Sequence, residues 1–235
     1  MTLVETMAAI AAAGTAQTKK TLMNHGAREP VSGVKVSDLK VILKQIRNDQ
    51  ALALALYDTG HYDAQYLAGL AANGALMTAK QLRRWAETPN ALAISEYSVA
   101  WVAAEHPDAW QIALEWIDDP ATSVAVSGWA TLAGLLSLLP DEKIDVPEVV
   151  QLLTRIEKEI HGVHDRVRYV MNGFVISAGT YVDAVHDAAV ATARKNGILH
   201  VDMGDTACKV PVAEAYIAAS RGRPGGAKKK KTLKC

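Results

Sequence analysis

Apolar residues recur at i, i+3, i+4 and i+7 in four separate stretches of the chain. They are Leu39, Ile42, Leu43 and Ile46; Trp110, Ala113, Leu114 and Ile117; Val149, Leu152, Leu153, Ile156 and Ile160; and Val167, Val170, Met171, Phe174 and Val175. That spacing lays one apolar stripe along a helix. Helix ends are marked as well. Thr2 and Glu5 have the spacing of a capping box, and Gly14 stops the helix they open. A second helix is expected from Ala16 to Asn24, with Gly26 as its stop, and Ser37-Asp38 is expected to cap a third. Ala51 to Leu56 alternates like a strand, but it lacks β-branched residues and follows a good cap at Asp49, so it too is predicted helical. Only Gly197 to Val210 reads as irregular or extended.

Breakers fall at Gly60, Gly74, Pro89, Pro107, Pro120, Pro140, Gly162, Gly197 and Pro211. They divide the chain into segments of roughly 10–18 residues with short connections, the mark of antiparallel helical hairpins. Taken two at a time, the segments give units near 38–58, 62–88, 91–118, 121–160 and 165–196, approaching the HEAT/armadillo period without a clean sequence repeat. The predicted fold is all-α: a HEAT-like α-solenoid of antiparallel helix pairs, about 11–13 helices, in one domain over residues 1–220. Ala91–Ala104 carries one charge and Ala121–Leu139 none. Helices that apolar belong in the middle of an array, covered on most sides.

Composition agrees. Half of the residues are hydrophobic with a single Phe, and Ala and Leu dominate. The uncharged run 121–139 is near spanning length, but it holds five Ser and Thr residues between acidic, proline-bounded flanks, so a buried helix is expected and no membrane partner. Two cysteines, Cys208 and Cys235, make neither a disulfide framework nor a metal pattern, which points to a reducing, cytoplasmic setting. The net charge of zero hides a split. Residues 221–235 hold seven basic groups and no acids, leaving eighteen basic against twenty-five acidic in the rest. This Lys-rich tail is expected to be disordered, either as an arm for polyanions or as a solubilising end.

Several groups could carry chemistry. Glu96 is the lone carboxylate of an apolar helix, on one stripe with Leu92, Val99 and Ala103, so it needs either a basic partner or a cleft. Basic residues gather over 19–47, where Lys19, Lys20, Arg28, Lys35, Lys40, Lys44 and Arg47 face only Glu29 and Asp38. Arg155, Lys158, Arg166 and Arg168 form a second group, and together these could receive a phosphate backbone or be ordinary solvated faces. His161 and His164 beside Asp165 are too few for a zinc site, and neither metal nor cofactor is expected. Cys208 beside Lys209 reads as part of an ordered loop, and the tryptophans as core.

Asn24-His-Gly-Ala-Arg-Glu-Pro-Val-Ser-Gly-Val-Lys-Val-Ser-Asp-Leu-Lys40 resembles the entry signature of the AlkD-like DNA alkylation repair family, HEAT-like repeat DNA glycosylases. The similarity continues through Asp63–Leu70, Ser95–Val99, Trp116–Pro120 and Arg168–Phe174, covering most of residues 20–195. The resemblance implies a monomer whose concave, positively lined groove holds duplex DNA, alkylated or distorted, and so a cytoplasmic protein associated with the nucleoid. It also implies excision of cationic alkylated bases without flipping them into a pocket, by a carboxylate that stabilises charge on the sugar, supported by two Trp and one Arg. The carboxylate position falls on Glu96, one Trp position on or beside Leu92, the other on Phe174, and the Arg on Ser127. Lys35, Lys40, Lys44, Arg47, Arg166, Arg168 and Phe174 are then the candidate DNA contacts and Glu96 the candidate catalytic group. An N-glycosylase, a non-catalytic binder of DNA structures from the same family, and a helical-repeat protein scaffold are all consistent with this pattern.

Overall fold

The computed structural model describes residues 1–235 and contains thirteen helices and no strand. They are α1 (Leu3–Ala13), α2 (Ala16–Asn24), α3 (Val36–Leu43), α4 (Gln50–Asp58), α5 (Tyr62–Ala71), α6 (Ala79–Glu87), α7 (Leu92–Ile94, continued through a π turn over Ser95–Val99 into Ala100–Ala103), α8 (Ala109–Trp116), α9 (Thr122–Leu138), α10 (Val146–Glu159), α11 (Asp165–Tyr181), α12 (His186–Asn196) and α13 (Ala213–Arg221). None is long and apolar enough to cross a membrane.

Local chemistry accounts for most of these ends. The capping box of α1 forms between Thr2 and Glu5, and Thr78 and Gln81 make a second at α6. Asp49 caps α4 and Asp145 caps α10, where Pro147 sits in the first turn. The start of α3 departs from expectation. It begins at Val36 after Lys35, with no side-chain cap; Ser37 and Asp38 lie inside the first turn, where the carboxylate still meets the positive end of the helix.

Successive helices alternate between two layers. The odd-numbered helices α1, α3, α5, α7, α9, α11 and α13 each pack on the next odd one, most extensively α9 on α11, whereas among the even-numbered helices only α10 and α12 are in close contact. The odd layer is therefore the inner side of the curve, and α8 and α4 lie against it from outside. Because each inner helix follows an outer one, the inner helices run parallel, and their C-terminal ends line one edge. Helix α9 is the centre, as its lack of charge implied: twelve of its residues are buried, among them Trp129, Leu132 and Leu136. Each such large side chain contributes about 1.5–3 kcal/mol. Gly128 lets α9 approach α8 closely, since a Cβ there would lie 2.9 Å from Ala113 O and Ile117 N.

The segment before α3 is a structural lock. The fully buried Asp63 carboxylate of α5 accepts from the N–H groups of Ser32 (2.8 Å), Gly33 (3.1 Å) and Val34 (2.8 Å). Gly33 has φ +80°, and a Cβ would sit 2.2 Å from Lys19 N, so only glycine fits. Asn90, just beyond α6, ties the same region together by exchanging bonds with Arg28 and by donating its N–H to the Gln65 amide oxygen of α5. Arg28 is thereby committed to structure, its Nε donating to Asn90 O.

Residues 222–235 form no helix, yet they lie packed against the body rather than free. The cause is a row of acceptors. Lys229 Nζ donates to Leu136 O at 2.9 Å near the end of α9 and pairs with Asp141, and Lys234 Nζ pairs with Glu105 at 2.8 Å and donates to Ala72 O at the end of α5. Lysines at helix C-termini meet both free carbonyls and the negative end of the dipole.

Candidate functional site

A furrow runs along the inner layer. Its floor is the small-residue stripe of α9, with Ala130, Ala133, Gly134 and Ser137; Tyr97 and Trp101 of α7 form one wall and Tyr169, Gly173 and Ser177 of α11 the other. Glu96 opens into this furrow from the π turn of α7. Such turns widen the backbone by one residue and often re-aim a side chain.

Glu96 does not stand alone there. Its carboxylate forms an ion pair with Arg166 in the first turn of α11, which joins α7 to α11 across α9. Only 11% of the Glu96 side chain and 19% of the Arg166 side chain are exposed. Burial raises the Glu96 pKa above the ordinary carboxylate value, and Arg166 offsets part of that rise. The guanidinium also stacks on Tyr169, its carbon 5.0 Å from the ring centroid. Burial raises the hydroxyls of Tyr97 and Tyr169, and lifts that of Tyr62 to about 12, so all three are neutral donors around the pair.

The other candidates separate clearly. Phe174 is fully buried edge-on against Trp129, centroids 5.5 Å apart, so it cannot touch DNA; its place on the α11 stripe put it in the core. Ser127 is also buried, donating to Ser123 O at 2.8 Å. Arg168 is engaged within the protein. Its guanidinium is spent on the carbonyls of Ile160, His161, Val163 and His200 and on Asp165. By holding His200 it anchors the loop 197–212, whose Asp205 O accepts from Asn24 Nδ2 at the end of α2. Lys35, Lys40, Lys44 and Arg47 are exposed, on α3 and just outside its ends, remote in sequence from the furrow walls. Lys19 is tied to Glu29. His164 caps α11 by accepting from Arg166 N, and no group of metal-binding side chains is assembled. Trp85, Trp101, Trp116 and Trp129 are buried, as read from their helical placement.

Sequence reasoning missed Tyr97, Trp101 and Tyr169 as wall residues and the tail as a furrow occupant. The tyrosines are spaced one and three residues from Glu96 and Arg166, a signal visible only once those two are known to pair. Lys230 and Leu233 lie in the furrow beside them.

This is a HEAT-like helical array whose inner face carries a carboxylate held by an arginine among aromatic side chains. A family model described as DNA alkylation repair enzyme matches residues 4–208, and the chain belongs to that family. Two relatives are the uncharacterized proteins Lin0241 of Listeria innocua, 31% identical, and Lmo0209 of Listeria monocytogenes, 32% identical, each aligned over 88% of this chain and 91% of its own. A solved structure described as belonging to a new family of proteins related to the HEAT-like repeat DNA glycosylases, with affinity for branched DNA structures, superposes with a TM-score of 0.91. It is 30% identical, and the match covers all of both chains.

Proposed function

We propose that this protein binds branched or distorted DNA and does not excise bases. The Glu96–Arg166 pair carries that reading. A carboxylate that stabilises a developing sugar cation must offer its charge to the substrate, and electrostatic catalysis depends on that charge being free and placed beforehand. Here the charge is already matched by the Arg166 guanidinium. The side chains that would support a cation are missing from their places: no tryptophan stands at or beside Leu92, Phe174 is buried at the other tryptophan position, and Ser127 faces inward. The fold match to a protein with affinity for branched DNA supports binding as the retained property.

The test compares mobility shifts of a four-way junction and of a linear duplex of equal length, alongside base release from duplex carrying 7-methylguanine or 3-methyladenine. Tighter junction binding with no base release is the expected result. Base release that disappears in Glu96→Gln would instead make the protein a glycosylase.

A further inference from the structure

We infer that the C-terminal tail is a built-in part of the nucleic-acid surface: Lys229, Leu233 and Lys234 dock it across the furrow, and Lys228, Lys230 and Lys231 are presented to phosphate groups. This rests on the DNA-binding reading above and says which side chains would carry it.

The bare inner edge is unsuited to a polyanion. The parallel inner helices direct their C-terminal, negative ends to one edge. Two carboxylates reinforce it, Glu105 just beyond α7 and Asp141 just beyond α9. The body outside the tail carries an excess of acids as well. The tail corrects this edge helix by helix. Leaving α13, it passes the end of α11, where Lys230 Nζ lies 5.8 Å from the Tyr181 ring centroid. At α9, Lys230 N donates to Ser137 O at 2.7 Å, and Lys229 takes Leu136 O and Asp141. At α7, Lys234 takes Glu105, and at α5 it reaches Ala72 O.

The docking has a shaped component besides charge. Leu233 sits in a notch of α9 that exists because residue 134 is glycine; a Cβ there would lie 2.4 Å from Leu233 Cδ1. A free polybasic arm would have no use for such a notch. The lysines divide accordingly. Lys229 and Lys234 are committed to carbonyls and carboxylates, whereas Lys228, Lys230 and Lys231 are exposed and enter no ion pair.

A displaceable plug is the obvious rival, and charge argues against it. Pulling the tail out would uncover Glu105, Asp141 and the helix carbonyls, leaving DNA to enter a groove more negative than before. The docked tail adds positive charge where phosphates would pass.

Full-length protein and two variants are titrated with a four-way junction at several salt concentrations. Lys228→Gln/Lys230→Gln/Lys231→Gln removes the three presented charges, and the slope of log affinity against log salt should flatten by about 2.7 at constant thermal stability. Leu233→Ser keeps every charge but loosens the dock, shown by faster tryptic cleavage in the tail, and should weaken junction binding several-fold. An unchanged slope in the triple variant overturns the inference. Unaltered affinity in Leu233→Ser would make the tail a free arm, and raised affinity would make it a plug; either result overturns it. If the wild type binds no DNA at all, the functional reading falls as well, whereas the other outcomes leave that reading standing.

Discussion

Replacing Arg166 by Met leaves the Glu96 carboxylate almost fully buried beside an uncharged side chain of similar length. Breaking a buried ion pair by removing one partner costs about 3–5 kcal/mol. The 19% exposure of Arg166 and its edge on the furrow place the loss at or just below the bottom of that range, about 2–3 kcal/mol. For a chain of 235 residues that is a fall in Tm of roughly 5–10 °C. Glu96→Gln should cost less, because the amide oxygen still accepts from the guanidinium and burial already disfavours the charged carboxyl. The double variant should recover much of what Arg166→Met loses, since the stranded charge is gone. The pH dependence has a definite sign. With Arg166 absent, burial of Glu96 is opposed only by the Tyr97 hydroxyl, so its folded pKa climbs further above the ordinary 4.5. Between those two values the folded state holds a proton that the unfolded state releases, so stability is greatest at low pH and falls as pH rises, by about 1.4 kcal/mol per pH unit at most. Urea unfolding of the four proteins at pH 5 and pH 7.5 measures both effects. If the deficit of Arg166→Met is the same at both pH values, or persists when Glu96→Gln is added, the buried-pair account is wrong.

Three further outcomes follow from contacts elsewhere. Asp63→Ala should lower stability by about 3 kcal/mol or more, because three charge-assisted bonds to Ser32, Gly33 and Val34 vanish together; urea unfolding gives the loss and amide exchange at those residues its location. Gly134→Val should push Leu233 from its notch and speed tryptic cleavage at Lys228–Lys231 while leaving Tm within about 2 °C; unchanged cleavage would show that the notch does not hold the tail. Arg168→Ala frees five acceptors around the loop 197–212, so amide exchange there should quicken more than in α9, with about 2–3 kcal/mol of stability lost.

Periodicity was enough for the helices because each apolar stripe has one place to go, into the space between two layers. The stripe of α11 shows both the power and the limit of that rule. It located Phe174 within a helix, and the same periodicity implied burial, but the family's tryptophan position drew the residue toward DNA, against the structure. Glu96 was legible as an oddity, since a single carboxylate in an apolar helix needs compensation. Its partner was not, because Arg166 lies seventy positions away and nothing local distinguishes it from Arg168. The two arginines differ only in which way the first turn of α11 points them. The contacts of the tail were hidden for a related reason. Its composition argues for disorder when the chain is considered alone, and its order comes from acceptors on four other helices that converge only in the folded array.

The bond from Asn24 to Asp205 has a mechanical consequence. A stack of helix pairs touching only its neighbours deforms like a coil spring, small rotations adding along its length. Here the loop 197–212, gripped by Arg168 at one end, reaches back to the tip of α2 and clasps the first repeat to the last. A clasped spring has a fixed gape. On the function proposed above, DNA that enters must bring a matching outline with it, which favours a rigid bend or a branch point over a straight duplex that the array would otherwise have to wrap.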